Sequence, residues 1–437
     1  MRRQVQIKHW PMAYDLLKVH ARGHAWPQPG RKPVMTDKII IGRQPVFNKN
    51  YSVVGYEILF RGEMPTGGVD RTAQVVVNTL IDLGLDKVAG SLPVFFNIDE
   101  AFLLNGIQLA EALPPEQVHF EILETVPPSE AVLQACRALK SKGYSLALDD
   151  VTSIEAAKPF IDIVDIIKLD WLATADPLPI MREFRRSNVR FLAEKIDSYE
   201  AAEAAKAMNF DLFQGFFYCH PEIVSGNKPP ESRMSILRAM QQAMVAASID
   251  QMFTVIKQDV TLSYRLLKYI NSASFGLKRE VQSIEQALAL LGLRNIRRWL
   301  TLLTMTSLAE NKPPELVRQA MYRARFLEML AKRMGEDVID DDFLLGLFSI
   351  LDALLDCTMQ DSLKEISLAQ HVQSGLLDLN SPMGQKLAVC LSLEQGNWDY
   401  ISKFTENGRR IDYREINMIQ TDAMQWADQQ MAVLSTL

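Results

Sequence analysis

"YSLALDDVTSIEA", residues Tyr144 to Ala156, decides how the first half of the chain is read. An apolar run, Leu146-Ala147-Leu148, delivers two adjacent carboxylates, Asp149 and Asp150. Like charges side by side repel, and the end of a buried strand is a costly place for them. A cation would balance them, and a solvated turn would expose them.

The same design recurs on both sides. Short apolar runs lie at Ile39-Ile40-Ile41, Val53 to Phe60, Val94 to Phe96 and Val118 to Phe120, then at Ile163 to Ile167 and Val189 to Ala193. Amphipathic stretches such as Ser129 to Lys142 and Tyr199 to Met208 separate them. Repeated strand–helix units predict a parallel sheet or barrel. With no glycine-rich dinucleotide loop among them, a TIM-like α/β barrel is favoured over a Rossmann sheet.

The pattern breaks at Ser225 to Pro230, "SGNKPP", where Gly and Pro mark a linker. Beyond it the periodicity is helical almost throughout, which predicts an all-α bundle. The expected organisation is an extension over residues 1–36, a barrel over 37–224, a linker over 225–232 and a helical domain over 233–437. Met1 to Lys32 carries seven Arg or Lys and one acid, Asp15, without the apolar core of a signal peptide. It reads as a basic, flexible tail, and Met35 is an alternative start.

Composition narrows the function. Of 437 residues, 48% are hydrophobic and 23% charged, as in a globular protein. No apolar run reaches the roughly 18 residues of a membrane helix. The net charge of −6 argues against a nucleic-acid partner. Cys136, Cys219, Cys357 and Cys390 are scattered, which fits a reducing cytoplasm and excludes a cysteine-rich zinc site.

Polar residues stand where the apolar runs stop: Glu57, Asn97, Glu121 with Glu124 beyond it, Asp149 and Asp150, Lys168, Glu194 and Gln214. In a barrel, strand C-terminal ends converge on one mouth. All-oxygen ligands suit a hard cation, Mg²⁺ or Mn²⁺, rather than zinc. Two such ions can activate a water and stabilise a leaving phosphodiester oxygen. An acid at one strand end is ordinarily a helix cap or a solvated turn; the signal here is the series.

"YEILFR", "FFN", "FEILE", "LALDD", "IIKLD", "AEKID" and "QGFF" follow one another as they do in EAL-domain cyclic-di-GMP phosphodiesterases, which the chain resembles over about Ile39 to Glu222. "LSYRLLKYINSASFGL" and "IEQALALLGLRNIRRWL" look like an HDOD domain, and the combination is similar to the YuxH-like family of bacterial signalling proteins. The resemblance implies that Glu57, Asn97, Glu121, Asp149, Asp150 and Glu194 bind metal. It implies that Glu57, Lys168, Glu194 and Gln214 form the catalytic group, with Lys168 orienting water or balancing charge. Arg61 would contact a phosphate, and Glu124 would hold the loop after the aspartates.

Three departures stand out. The signature "EAL" reads Glu57-Ile58-Leu59. The family's phenylalanine- and glycine-rich turn after the aspartates reads Val151-Thr152-Ser153-Ile154-Glu155, without glycine. The family's "AEGVE" reads "AEKID", so Lys195 replaces a glycine. That lysine either supplies part of a cation's charge or, by strand alternation, points away from the mouth.

HDOD domains resemble metal phosphohydrolases that need several histidines. Met234 to Leu437 contains only His371, and Ser349-Ile350 occupy the place of the His-Asp pair. Metal hydrolysis in this half is excluded. Arg294, Arg297 and Arg298 form either a contact patch or a solvated face with Trp299 in the core. "NSASFGL", Asn271 to Leu277, reads as a functional loop or a helix stop at Gly276. Asp340 to Asp342 read as a helix cap complementing the dipole.

The expectation is a cytoplasmic, cyclic-di-GMP-related signalling protein with a degenerate EAL domain, regulatory and non-catalytic. Its helical half would bind partner proteins, and a homodimer is open to it. The alternative is an active phosphodiesterase, dependent on Mg²⁺ or Mn²⁺, that makes linear pGpG.

Overall fold

The computed structural model describes residues 39–62, 77, 84–185, 188–222, 233, 236–237, 248–272, 280–337, 339–406 and 409–437. The basic extension, the linker and most of "NSASFGL" lie outside the described residues.

Eight strands close a barrel in chain order. They are β1 (Ile39–Asn48), β2 (Val53–Gly62), β3 (Val94–Ile98), β4 (Val118–Ile122), β5 (Ser145–Leu148), β6 (Ile166–Asp170), β7 (Arg190–Glu194) and β8 (Leu212–Gln214). From β2 to β8 neighbouring strands are parallel. The uniform parallel barrel expected from the strand–helix alternation fails at β1, which is antiparallel to both β2 and β8. The cause is local. Only Lys49 to Ser52 separate β1 from β2, a turn closed by Tyr51 N–H donating to Asn48 O at 2.9 Å. A parallel crossover needs a dozen or more residues.

Period-two alternation stacks two layers inside the barrel. The lower layer is apolar: Val46, Phe95, Ala147, Ile166, Leu192 and Leu212 form one buried cluster. Two residues along β3, β5, β6, β7 and β8 stand Asn97, Asp149, Lys168, Glu194 and Gln214. The apolar layer is the floor on which the polar layer rests. Each buried apolar side chain contributes roughly 1.5–3 kcal/mol. Serine starts the outer helices: Ser129 caps α1 (Glu130–Ser141), Ser153 caps α2 (Ile154–Ala157) and Ser198 caps α3 (Tyr199–Ala207). In each, the side chain accepts from a free first-turn amide.

Among the described residues, the regular structure of the second half is helical apart from the two-residue strands Thr405–Glu406 and Arg409–Arg410. Its long helices are α4 (Ile284–Leu308), α5 (Pro314–Met334), α6 (Pro382–Gln395) and α7 (Tyr413–Leu434). Among the described residues no helix is long and apolar enough to cross a membrane. Trp299 is fully buried. Arg294 and Arg298 both pair with Asp340 at 2.7 Å and with Glu328, so both cations are matched by acids of the bundle. Asp340 to Asp342 occupy the first turn of their helix, behind an Ile339 cap. Asp341 bonds His371 at 2.7 Å and Asp342 pairs with Lys386 at 2.9 Å.

The bundle seats on β1. Asn417 Oδ1 accepts from Ile41 N–H at 3.1 Å, and Gln420 Nε2 donates to Ile41 O at 2.7 Å. Arg43 lies 4.2 Å over the Tyr56 ring, and Tyr56 OH donates to Glu315 at 3.4 Å. Gly42 is what allows this approach. A Cβ there would sit 2.2 Å from the Leu393 carbonyl oxygen of α6. Gly42→Ala should therefore lower stability by about 1–3 kcal/mol through overpacking. Thermal unfolding checks this, and an unchanged midpoint would contradict the tight junction.

Candidate metal centre

Lys168 is at the centre of the barrel mouth and 1% exposed. Its Nζ lies 2.7 Å from Glu121, 2.8 Å from Glu194, 3.0 Å from Asp149 and 3.3 Å from Glu57. Five different strands or strand ends supply these groups, which is why only the closed barrel assembles them. Asn97 Nδ2 donates to Glu57 Oε1 at 3.2 Å, and Gln214 Nε2 donates to Glu57 Oε2 at 2.7 Å.

Four carboxylates face one ammonium, and the proton affinities record the imbalance. Burial pushes the Glu121 carboxyl well up, with Glu57 repelling it further. Burial also lifts Glu194 to about 8 against the pull of Lys168. Asp149 is raised by the same cause. Glu57 goes the other way. Burial acts to raise it, but Lys168 and the hydrogen bonds from Gln214 and Asn97 outweigh that and hold it low. Desolvation opposes the Lys168 charge, yet the surrounding acids raise it well above an ordinary lysine.

The donor set fits a hard cation. Asn97 Oδ1, Glu121 Oε2 and Gln214 Oε1 are buried without a hydrogen-bond partner. Buried oxygens left unpaired are costly. Glu57, Asn97, Glu121, Asp149 and Glu194 could hold Mg²⁺, Mn²⁺ or Ca²⁺, all of which take oxygen ligands. Such an ion polarises a bound oxygen as a Lewis acid.

The remaining sequence candidates fall outside this inner group. Asp150 carries a left-handed φ of 42° and stands apart from Lys168. With Glu124 and Asp149 it forms a carboxylate cluster whose oxygens lie within 4.8 Å of one another. The side chain of Arg61 lies outside the described residues. Lys195 does not point away: it pairs with Asp170 and lies 3.5 Å from Asp150.

Two site residues escaped the sequence reading. Asp170 follows Lys168 by two positions on β6, a spacing that alternation could have flagged. Gln44 sits opposite Glu57 in the β1–β2 register. It accepts from Gln214 Nε2 at 3.1 Å and donates to the Glu394 carbonyl of α6 at 3.0 Å. It stands three residues beyond the end of the Ile39-Ile40-Ile41 run, so no apolar run ends at it. The expected His-Asp position of the helical half holds no metal ligands: Ser349 Oγ donates to Gly346 O, and Ile350 is fully buried.

Lys168→Met keeps the volume and removes the only ammonium of the inner group. Breaking a buried pair on one side costs about 3–5 kcal/mol. The metal-free variant should melt well below the parent, and saturating Mn²⁺ should recover most of the loss. Equal melting of the two metal-free proteins would refute the charge balance.

Comparison with known proteins agrees with this geometry. The EAL domain family matches residues 82–221, and the HDOD domain family matches residues 227–381. β1 and β2 precede the first match, and α6 and α7 follow the second. YuxH of Bacillus subtilis, an uncharacterized protein, is 29% identical over 405 residues, 89% of this chain and 98% of its own. The cyclic di-GMP phosphodiesterase CdgJ of Vibrio cholerae is 29% identical over 420 residues, 92% of this chain and 96% of its own. The probable cyclic di-GMP phosphodiesterase PdeD of Escherichia coli is 22% identical over 234 residues, 44% of each chain. Two consecutive domain matches, and two relatives aligned nearly end to end, show a chain that carries an EAL domain, the barrel, followed by an HDOD domain in the helical half.

Proposed function

We propose that this chain is a cytoplasmic cyclic-di-GMP signalling protein whose barrel receives the nucleotide and whose helical half passes the signal to partner proteins, without hydrolysis. The observation that carries the nucleotide reading is the gathering of Glu57, Glu121, Asp149 and Glu194 around the buried Lys168 ammonium, with Asn97 bonded to Glu57. A divalent cation there, Mg²⁺ or Mn²⁺, would offer its open face to a phosphodiester oxygen.

The regulatory reading rests on the loop after the aspartates. Val151 is buried, and its N–H donates to Lys168 O at 3.0 Å. Ser153 Oγ takes the Ala156 amide at 3.2 Å to start α2. A phosphate is well held by free backbone amides, often at glycines. Here the Val151 and Ala156 amides are committed to the protein and the loop carries no glycine, which leaves fewer amides to hold a phosphate.

A second reading is phosphodiesterase activity yielding pGpG. The depressed Glu57 carboxyl and the inner donor set favour it, and CdgJ bears that activity in its name. A nucleic-acid role is disfavoured, because Arg294 and Arg298 are paired with acids.

Calorimetric titration with cyclic di-GMP in Ca²⁺, then in Mg²⁺ or Mn²⁺, followed by chromatography, separates these readings. Binding without pGpG is expected, with Glu57→Ala weakening it at least tenfold, about 1.4 kcal/mol. Product formation would replace the regulatory reading by the enzymatic one. Absence of binding would overturn both.

A further inference from the structure

Lys195 and Asp150 are neighbours across the barrel mouth, and both are non-glycine residues in the left-handed region, at φ 57° and 42°. That conformation is uncommon for side chains other than Asn and Asp. Lysine there is strained, and the conformation persists only where surrounding contacts impose it. The contacts are electrostatic. Glu194, one residue earlier, points inward to Lys168. A regular strand would send Lys195 outward. The left-handed turn instead swings its ammonium back over the mouth, onto Asp170 and to within 3.5 Å of Asp150.

The acids of the mouth thus form two tiers. The inner tier, Glu57, Glu121, Asp149 and Glu194, surrounds Lys168 and contains buried oxygens without hydrogen-bond partners. The outer tier is Glu124, Asp149 and Asp150, with Asp170 alongside. Part of its charge is already answered. Asp170 accepts from the Leu172 and Ala173 amides at 2.8 and 2.9 Å through one oxygen and from Lys195 through the other. Those bonds, with the Lys195 charge, hold its carboxyl below the usual range.

We infer that Lys195 takes the place of a second divalent cation: the barrel binds one ion, in the inner tier, and the lysine ammonium supplies the outer positive charge, positioned to meet an incoming phosphodiester. This rests on the metal-binding part of the function proposed above and specifies its stoichiometry. It also accounts physically for a site that binds without in-line displacement, which two ions assist at both the attacking and the leaving oxygen.

Mn²⁺ binding to the full chain, followed by calorimetry and electron paramagnetic resonance, tests it. The parent protein should bind one Mn²⁺ with an uncoupled spectrum. Lys195→Gly, which suits the left-handed backbone and removes the ammonium, should bind two, with the spin coupling of adjacent ions. Lys195→Met, which keeps the chain length without the charge, should also gain the second ion. Two ions in the parent would overturn the inference and leave the metal reading standing, as would one ion in both variants. No ion in any of the three proteins would overturn the metal reading and the inference together. One ion in the parent and two in the variants, with cyclic di-GMP failing to bind, would uphold the inference and remove the nucleotide reading.

Discussion

One lysine ammonium held among four buried carboxylates is the constraint on which the rest of the barrel depends. An ion pair taken out of water loses several kcal/mol of hydration per charge, and one partner cannot repay four. The fold meets this cost by surrounding the charges with fixed donors. Asn97 and Gln214 hold Glu57, Lys168 reaches all four acids, and an apolar floor of Phe95, Ala147, Ile166, Leu192 and Leu212 keeps the layer in register. What remains unpaid is the excess negative charge and the unpaired oxygens of Asn97, Glu121 and Gln214. A hard cation, which takes oxygen ligands, is what such a set of donors would accommodate.

The site is not the barrel's alone. From Glu57 a chain of hydrogen bonds runs through Gln214 and Gln44 to the Glu394 carbonyl of α6. The Glu394 carboxylate in turn receives both arms of Arg323, at 2.7 and 2.9 Å. Arg323 also donates to Ser349 Oγ at 3.1 Å. The polar centre of the bundle and the polar centre of the barrel are thus joined through β1. Gly42 lets the two backbones come close.

Much of this was legible in the residues. An apolar run ending in a charged or amide side chain, repeated along the first half, is what period-two alternation in a closed barrel requires. The helical half was legible from its 3.6-residue periodicity beyond the Gly- and Pro-marked break at Ser225 to Pro230. Three things were not. The antiparallel β1 carries Arg43, Gln44 and Pro45, because one of its faces is covered by helices that only tertiary structure brings there. β6 begins at Ile166 rather than Ile163, because the chain turns through Ile163 and Val164 before it can pair with β5. The direction of Lys195 depends on a positive φ, which no alternation rule anticipates for lysine.

The central claim is that the inner carboxylates are a cation site in which Lys168 carries the balancing charge. Anomalous diffraction from crystals of the full chain grown with Mn²⁺ tests it most directly. The account predicts a peak among the Asn97, Glu121 and Asp149 oxygens. Clear density for Lys168 still pairing with all four carboxylates, with no peak between them, would contradict it.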